Sequence, residues 1–120
     1  MSEPVVEKFV ERIDAVFLPV INLEESLAWY QEIFGFQLRW KNDRMGGLAI
    51  APNCGFHLVQ IPDFQPIEQY TPFNFVVKDV EEVRNRLMER GVTVSELRPG
   101  QPKRFDLKDL NGNMISVIQL

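Results

Sequence analysis

The sequence predicts an α+β fold built from two copies of one unit, each a strand, a helix and three further strands. Three observations carry the prediction. A strand running into a capped helix occurs twice, in IDAVFLPVINLEESLAWYQEIF (13–34) and in YTPFNFVVKDVEEVRNRLME (70–89). Each helix is followed by short strand-like runs separated by turn residues. The halves also finish alike, FHLVQI at 56–61 against ISVIQL at 115–120.

Setting Val20 over Val77 aligns Asn22 with Asp79 and Glu25 with Glu82. Asn and Asp at an N-cap accept from first-turn N–H groups, and a Glu three residues later completes a capping box. Leu23, Leu27, Tyr30 and Phe34 recur at helical spacing, as do Val80, Val83 and Leu87, so each helix has one apolar face to bury. Gly35 and Gly91 end helices expected over 23–34 and 80–90. The strands expected after the first helix are 37–41, 48–51 and 56–61, with breaks at 43–47 and 52–55. Met45-Gly46-Gly47 reads as a hairpin turn, and no lysine–serine pair follows to make a phosphate loop. After the second helix the expected strands are 92–96, 104–107 and 114–120, with breaks at 98–103 and 109–113. PDFQP at 62–66 is the linker between modules spanning about 12–62 and 68–120 of a single domain, 1–120.

Composition narrows the partners. A chain of 120 residues has room for one modest core. A net charge of -4 argues against nucleic acid, whose phosphates call for a basic face. The single cysteine, Cys54, excludes an internal disulfide framework and fits a reducing, cytoplasmic compartment. The amino-terminal run MSEPVVEKFVERID is too charged for a secretory signal, and the apolar stretch 15–21 is too short to span a bilayer. The expected partner is a small molecule, with neither nucleic acid nor membrane involved.

IDAVFLPVINLEESLAWYQEIFGF, FNFVVKDVEEVRNRLMERGV and the closing DLNGNMISVIQL, in that order, resemble the vicinal-oxygen-chelate superfamily of glyoxalases, bleomycin-resistance proteins and extradiol dioxygenases. The resemblance covers nearly the whole chain. It implies two βαβββ modules whose curved mixed sheets enclose a cup, and pairing of copies into a homodimer. In most of that family His, Gln or Glu at four strand positions bind a divalent metal in the cup. Here those positions fall on Ala15, His57, Pro72 and Ser116. Same-face neighbours two or four residues away, Phe17, Pro19, Asn74, Val76, Met114 and Ile118, supply no strong ligand. A catalytic metal wants about three protein donors, so neither a metal nor another cofactor is expected.

His57, the only histidine, is then a cup-lining hydrogen-bonding group, with a general base as the enzymatic alternative. Asn74 interrupts FNFVV on the face opposite Phe73 and Phe75, and Ser116 sits at the matching place in the last strand. Phe17, Val59, Val76 and Ile118 share the proposed inner face and, with Trp40, make it apolar and partly aromatic. The expected ligand-binding set is His57, Asn74, Ser116, Phe17, Trp40, Val59 and Ile118, with no catalytic residue assigned. Arg98, Lys103 and Arg104 either grip an anion or simply solvate a turn; Cys54 is read as a plain small side chain rather than a nucleophile. Three functions follow: metal-independent binding of a small, partly apolar molecule; a glyoxalase-like lyase, isomerase or dioxygenase with a degenerate metal site; or a non-catalytic dimerisation module.

Overall fold

Each half of the chain opens with a strand that delivers the backbone directly into a capped helix. In the computed structural model, which describes residues 5–120, the order is β1 (Ala15–Val20), α1 (Leu23–Phe34), β2 (Gln37–Lys41), β3 (Met45–Ala51), β4 (Cys54–Gln60), β5 (Asn74–Val76), α2 (Val80–Glu89), β6 (Lys103–Lys108) and β7 (Met114–Gln119). The charged amino-terminal run begins in residues 1–4, outside the described part. Asn22 Oδ1 accepts from the Glu25 N–H at 3.0 Å and Asp79 Oδ1 from the Glu82 N–H at 3.1 Å. Gly35, at φ 73°, closes α1 in the left-handed region that only glycine enters freely. The like endings of the halves have a structural reason too. Gln60 Oε1 accepts the Leu23 N–H at 2.8 Å, and Gln119 Oε1 accepts the Val80 N–H at 3.0 Å. In each module the closing strand thus satisfies an orphan donor at the first residue of its helix.

Two open mixed sheets result. The first runs β1-β4-β3-β2, with β1 and β4 parallel; the second runs β5-β7-β6, with β5 and β7 parallel. The architecture is α+β, as the repeat predicts, with one helix backing each sheet. Two expectations need correction. The strand expected at 92–96 does not form; only isolated bridges, Val94 to Leu107 and Arg98 to Arg104, tie that segment to β6. The Ser95 hydroxyl intercepts the Asp106 N–H at 2.9 Å, while the Ser95 carbonyl turns to Arg84 Nε at 2.7 Å, so the regular ladder is lost there. Met45-Gly46-Gly47 is not a turn but the start of β3. The reversal comes earlier, because Asn42 Oδ1 accepts from the N–H groups of Arg44 and Met45 at 2.9 and 2.8 Å.

The core lies between sheets and helices. Leu18, Val20, Leu48, Phe56 and Leu58 pack with Leu23, Leu27 and Tyr30 in one half; Phe105, Leu107, Ile115 and Val117 pack with Val80 and Leu87 in the other. Each such side chain contributes about 1.5–3 kcal/mol on burial. Two devices join the modules. Phe56 meets Phe73 and Phe75 at centroid distances of 5.5 and 5.8 Å, and Phe34 meets Phe75 at 5.5 Å. The β6–β7 turn then staples itself to the first module. Tyr30 donates to Asp109 Oδ2 at 2.6 Å, Asn111 Nδ2 to Ser26 Oγ at 3.1 Å, and Asn113 Nδ2 to the Pro19 carbonyl at 2.8 Å. The polar residues of DLNGN therefore hold the two modules together.

Candidate functional site

Alternation along β4 buries Phe56 and Leu58 under α1 and turns His57 and Val59 to the opposite face. His57 is paired with Phe17 on β1 and Gly47 on β3, and Gly47 is in turn paired with Trp40 on β2. One row thus crosses all four strands of the first sheet. Gly47 makes the row work: a Cβ there would collide with Nε1 and Cε2 of Trp40. With no side chain beneath it, the indole lies over Gly47 and reaches the imidazole. The His57 ring is held edge-on between Phe17, at a centroid distance of 4.9 Å, and Trp40, at 5.0 Å. Its Nδ1 is buried and has no hydrogen-bond partner, and an unsatisfied buried polar atom calls for a reason. Phe17 and Trp40 nevertheless remain 59% and 40% exposed.

The second sheet carries the equivalent row. Asn74 is paired with Ser116 and Ser116 with Asp106, which the Ser95 hydroxyl contacts. Asn74 is exposed, but Ser116 and Asp106 are buried. Arg98 Nη2 lies 3.1 Å from Asp106 Oδ2, and Arg104 Nη1 donates to the Pro102 carbonyl at 3.4 Å. Arg98 is thus already neutralised, which weakens the anion-gripping reading of the 98–104 loop. Ile118 and Val59 are half-buried, while Val76 is exposed. The structure therefore brings Phe17, His57 and Trp40 together, with Val59 two residues along the same strand. It leaves Asn74, Ser116 and Ile118 on the other sheet, and no hydrogen bond or ring contact among the described residues joins the two sets. Cys54 is an exposed thiol at the start of β4.

The family's metal does not fit these residues. Ala15, paired with Gly55, and Pro72 have no donor atom, and Ser116 lies buried in a different sheet from His57. Among the described residues no group of three or more His, Cys, Asp or Glu side chains could hold a metal ion. One imidazole hemmed in by two aromatic rings is a poor start for a coordination shell.

Sequence reasoning missed Gly47 and Asp106. A glycine inside a strand marks close approach of another group, and the pair Gly46-Gly47 carries that signal, which competes with its equal fitness for a turn. Asp106 has no comparable sequence mark.

Comparison with known proteins gives the same answer as the fold. The model of the Glyoxalase/Bleomycin resistance protein/Dioxygenase superfamily matches residues 12–117. The chain belongs to this superfamily. An antibiotic-binding protein, TnmS3 from Streptomyces sp. CB03234, superposes with a TM-score of 0.81 at 23% identity, over 94% of this chain and 98% of that one. A superfamily member from Sphaerobacter thermophilus DSM 20745 gives 0.78 at 20% identity, over 92% and 98%. An integron cassette protein from the Halifax Harbour sewage outfall metagenome gives 0.77 at 21%, over 92% and 100%. A comparison with curated protein sequences finds no match. Among the described residues no helix is long and apolar enough to cross a membrane.

Proposed function

We propose that this superfamily member binds a small, partly aromatic molecule without a metal, on the face carrying Phe17, His57 and Trp40. The observation that carries the reading is the orphaned His57 Nδ1 set between two rings that remain accessible. An unpaired buried nitrogen costs about 1–3 kcal/mol, and a ligand that parts the two exposed rings and brings a donor or acceptor to it would recover much of that. The exposed rings offer stacking surfaces to the body of the same ligand. The likeness to an antibiotic-binding protein supports binding over turnover, as does the donor set unsuited to a metal. Enzymatic chemistry through His57, or a residual metal-assisted reaction, stands second.

In this reading the sheet faces meet those of a second copy, and the polar row Asn74–Ser116 closes the cup opposite the aromatic one. Apolar exposure at Phe17, Trp40 and Val76 supports that pairing. The cytoplasm, where a lone thiol such as Cys54 stays reduced, is the compartment we assign. The test is a thermal-shift screen of aromatic metabolites and metal salts, with light scattering in parallel. A ligand at a hundred times its Kd raises stability by about 2.7 kcal/mol. The gain is expected for an aromatic compound, to be lost in Trp40→Ala and reduced in His57→Ala. Stabilisation by metal salts alone would favour the enzymatic reading, and a clean monomer that binds nothing would leave the binding proposal without support.

A further inference from the structure

A cavity of about 280 Å³ opens where the C-terminal end of α1 meets α2 and the free edge of β5. None of Phe17, His57 or Trp40 lines it. Its walls are apolar, with Ile33, Phe34, Phe36, Phe75, Val83 and Leu87 among them, and two arginines, Arg86 and Arg90, stand at its border. The arginines differ in what they already do. Arg90 Nη1 donates at 2.8 Å to the Glu32 carbonyl, one of the acceptors left open at the end of α1. The Arg86 side chain makes no hydrogen bond or ion pair with any described residue. A second polar group comes from the backbone. Val77 donates its N–H to the Ile118 carbonyl on β7 at 2.9 Å, so the alternating Val76 N–H turns to the unpaired edge, along the cavity.

We propose that this cavity is a second binding site, for a small carboxylate with an aromatic or short apolar body. The acid's ring lies against Phe34, Phe36 and Phe75, and its carboxylate meets the Arg86 guanidinium and the Val76 N–H. An apolar pocket with a few convergent polar groups is the usual form of a small-molecule site. A guanidinium is the natural partner of a carboxylate. β5, with three residues, is too short an edge to hold an added peptide strand well, and the cavity is sized for a compact molecule.

The inference is independent of the cup, and one titration separates the two sites. Protein labelled at its Ile and Val methyl groups and at its Phe and His rings is titrated with 4-phenylbutanoate and, separately, with the neutral 4-phenylbutan-1-ol. The acid is expected to shift the methyl signals of Ile33 and Val83 while the ring signals of Phe17 and His57 stay in place. The alcohol should bind about tenfold more weakly, the loss of one charge-assisted hydrogen bond. Arg86 is exposed, so Arg86→Gln should fold normally and bind the acid only as well as it binds the alcohol. Equal binding of acid and alcohol, or an unchanged acid affinity in Arg86→Gln, would overturn the proposal. So would shifts confined to Phe17 and His57. Cavity signals that move with protein concentration before any acid is added would overturn it too, because a second copy would then occupy the cavity.

Discussion

Gly46 and Gly47 are neighbours on β3, yet an added methyl group would enter opposite faces of the sheet. At Gly46 it would sit 2.8 Å from both terminal carbons of Leu27, a residue only 2% exposed and packed within the core. Forcing a methyl into a full core costs about 1–3 kcal/mol, and alanine recovers about 0.5–1 kcal/mol of that through its stiffer backbone. The net loss for Gly46→Ala is about 0.5–2 kcal/mol, a fall in Tm of about 2–8 °C at this chain length. At Gly47 the three atoms nearest the methyl all belong to the Trp40 indole, which is partly exposed and so has solvent to move into. Losing the Trp40–His57 edge contact costs about 0.5–1.5 kcal/mol, and the backbone gain nearly cancels it. Gly47→Ala should therefore keep its Tm within about 2–3 °C of the parent. Its His57 ring protons should nonetheless shift clearly, because one of the two rings shielding them has left. Thermal unfolding and a proton spectrum of each variant test the pair. If Gly47→Ala destabilises as much as Gly46→Ala and His57 does not move, the assignment of strand faces and of the aromatic row is wrong.

Other outcomes follow from the same geometry. Tyr30→Phe removes the 2.6 Å bond to Asp109 between the modules and should cost about 1–3 kcal/mol in urea unfolding. Burial, and then the Asp109 charge, raise the Tyr30 phenol well above its ordinary 10.0. A folded pKa above the unfolded one means that this contribution is intact below about pH 10 and is lost as pH rises toward the folded value. Parent stability should thus fall above about pH 10, and Tyr30→Phe should fall less steeply; parallel slopes would refute the linkage. Leu58→Ala should cost about 2–5 kcal/mol, and His57→Ala clearly less; the reverse order would mean the strand faces are inverted. Salts of zinc, nickel, manganese and iron(II) should leave Tm unchanged, and tag-free protein should carry no stoichiometric metal by mass spectrometry. A metal held by His57 and two other protein ligands would refute the donor analysis.

The fold was legible because it is written twice. Caps, apolar stripes and closing strands repeat at matching positions, and each repeat supports the assignment of the other. What failed depended on contacts that have no sequence period. The edge strand at 92–96 is undone by one hydroxyl competing for one amide, and Ser95 gives no sign of this on its own. The Gly46-Gly47 pair fits a turn as well as it fits a strand pressed between Leu27 and Trp40. That His57 and Phe17 share a face follows from alternation, but their adjacency comes from the β1–β4 register, and the unpartnered nitrogen depends on what the neighbouring strands present. The charge of Arg98 looked free until the fold brought Asp106 to 3.1 Å.

The repeat also shows one scaffold carrying two different faces. The alignment that sets Val20 on Val77 sets Phe17 on Asn74, and the alignment of the closing strands sets His57 on Ser116. The registers agree, since Phe17 faces His57 across β1 and β4 as Asn74 faces Ser116 across β5 and β7. The next strand places Gly47 beside His57 and Asp106 beside Ser116. Equivalent positions thus hold Phe, His and Gly in one module and Asn, Ser and Asp in the other. The glycine admits an indole, so the first row is a wall of rings. The aspartate draws in Arg98 and Ser95, so the second is a hydrogen-bonding surface. Helix caps and core positions kept their character in both copies, because changing them costs stability in either. The face turned away from the helices is where the two halves differ. If a second copy of the chain brings the two rows together as proposed, their opposite polarity would suit a ligand with an aromatic body and a polar edge better than one of uniform character.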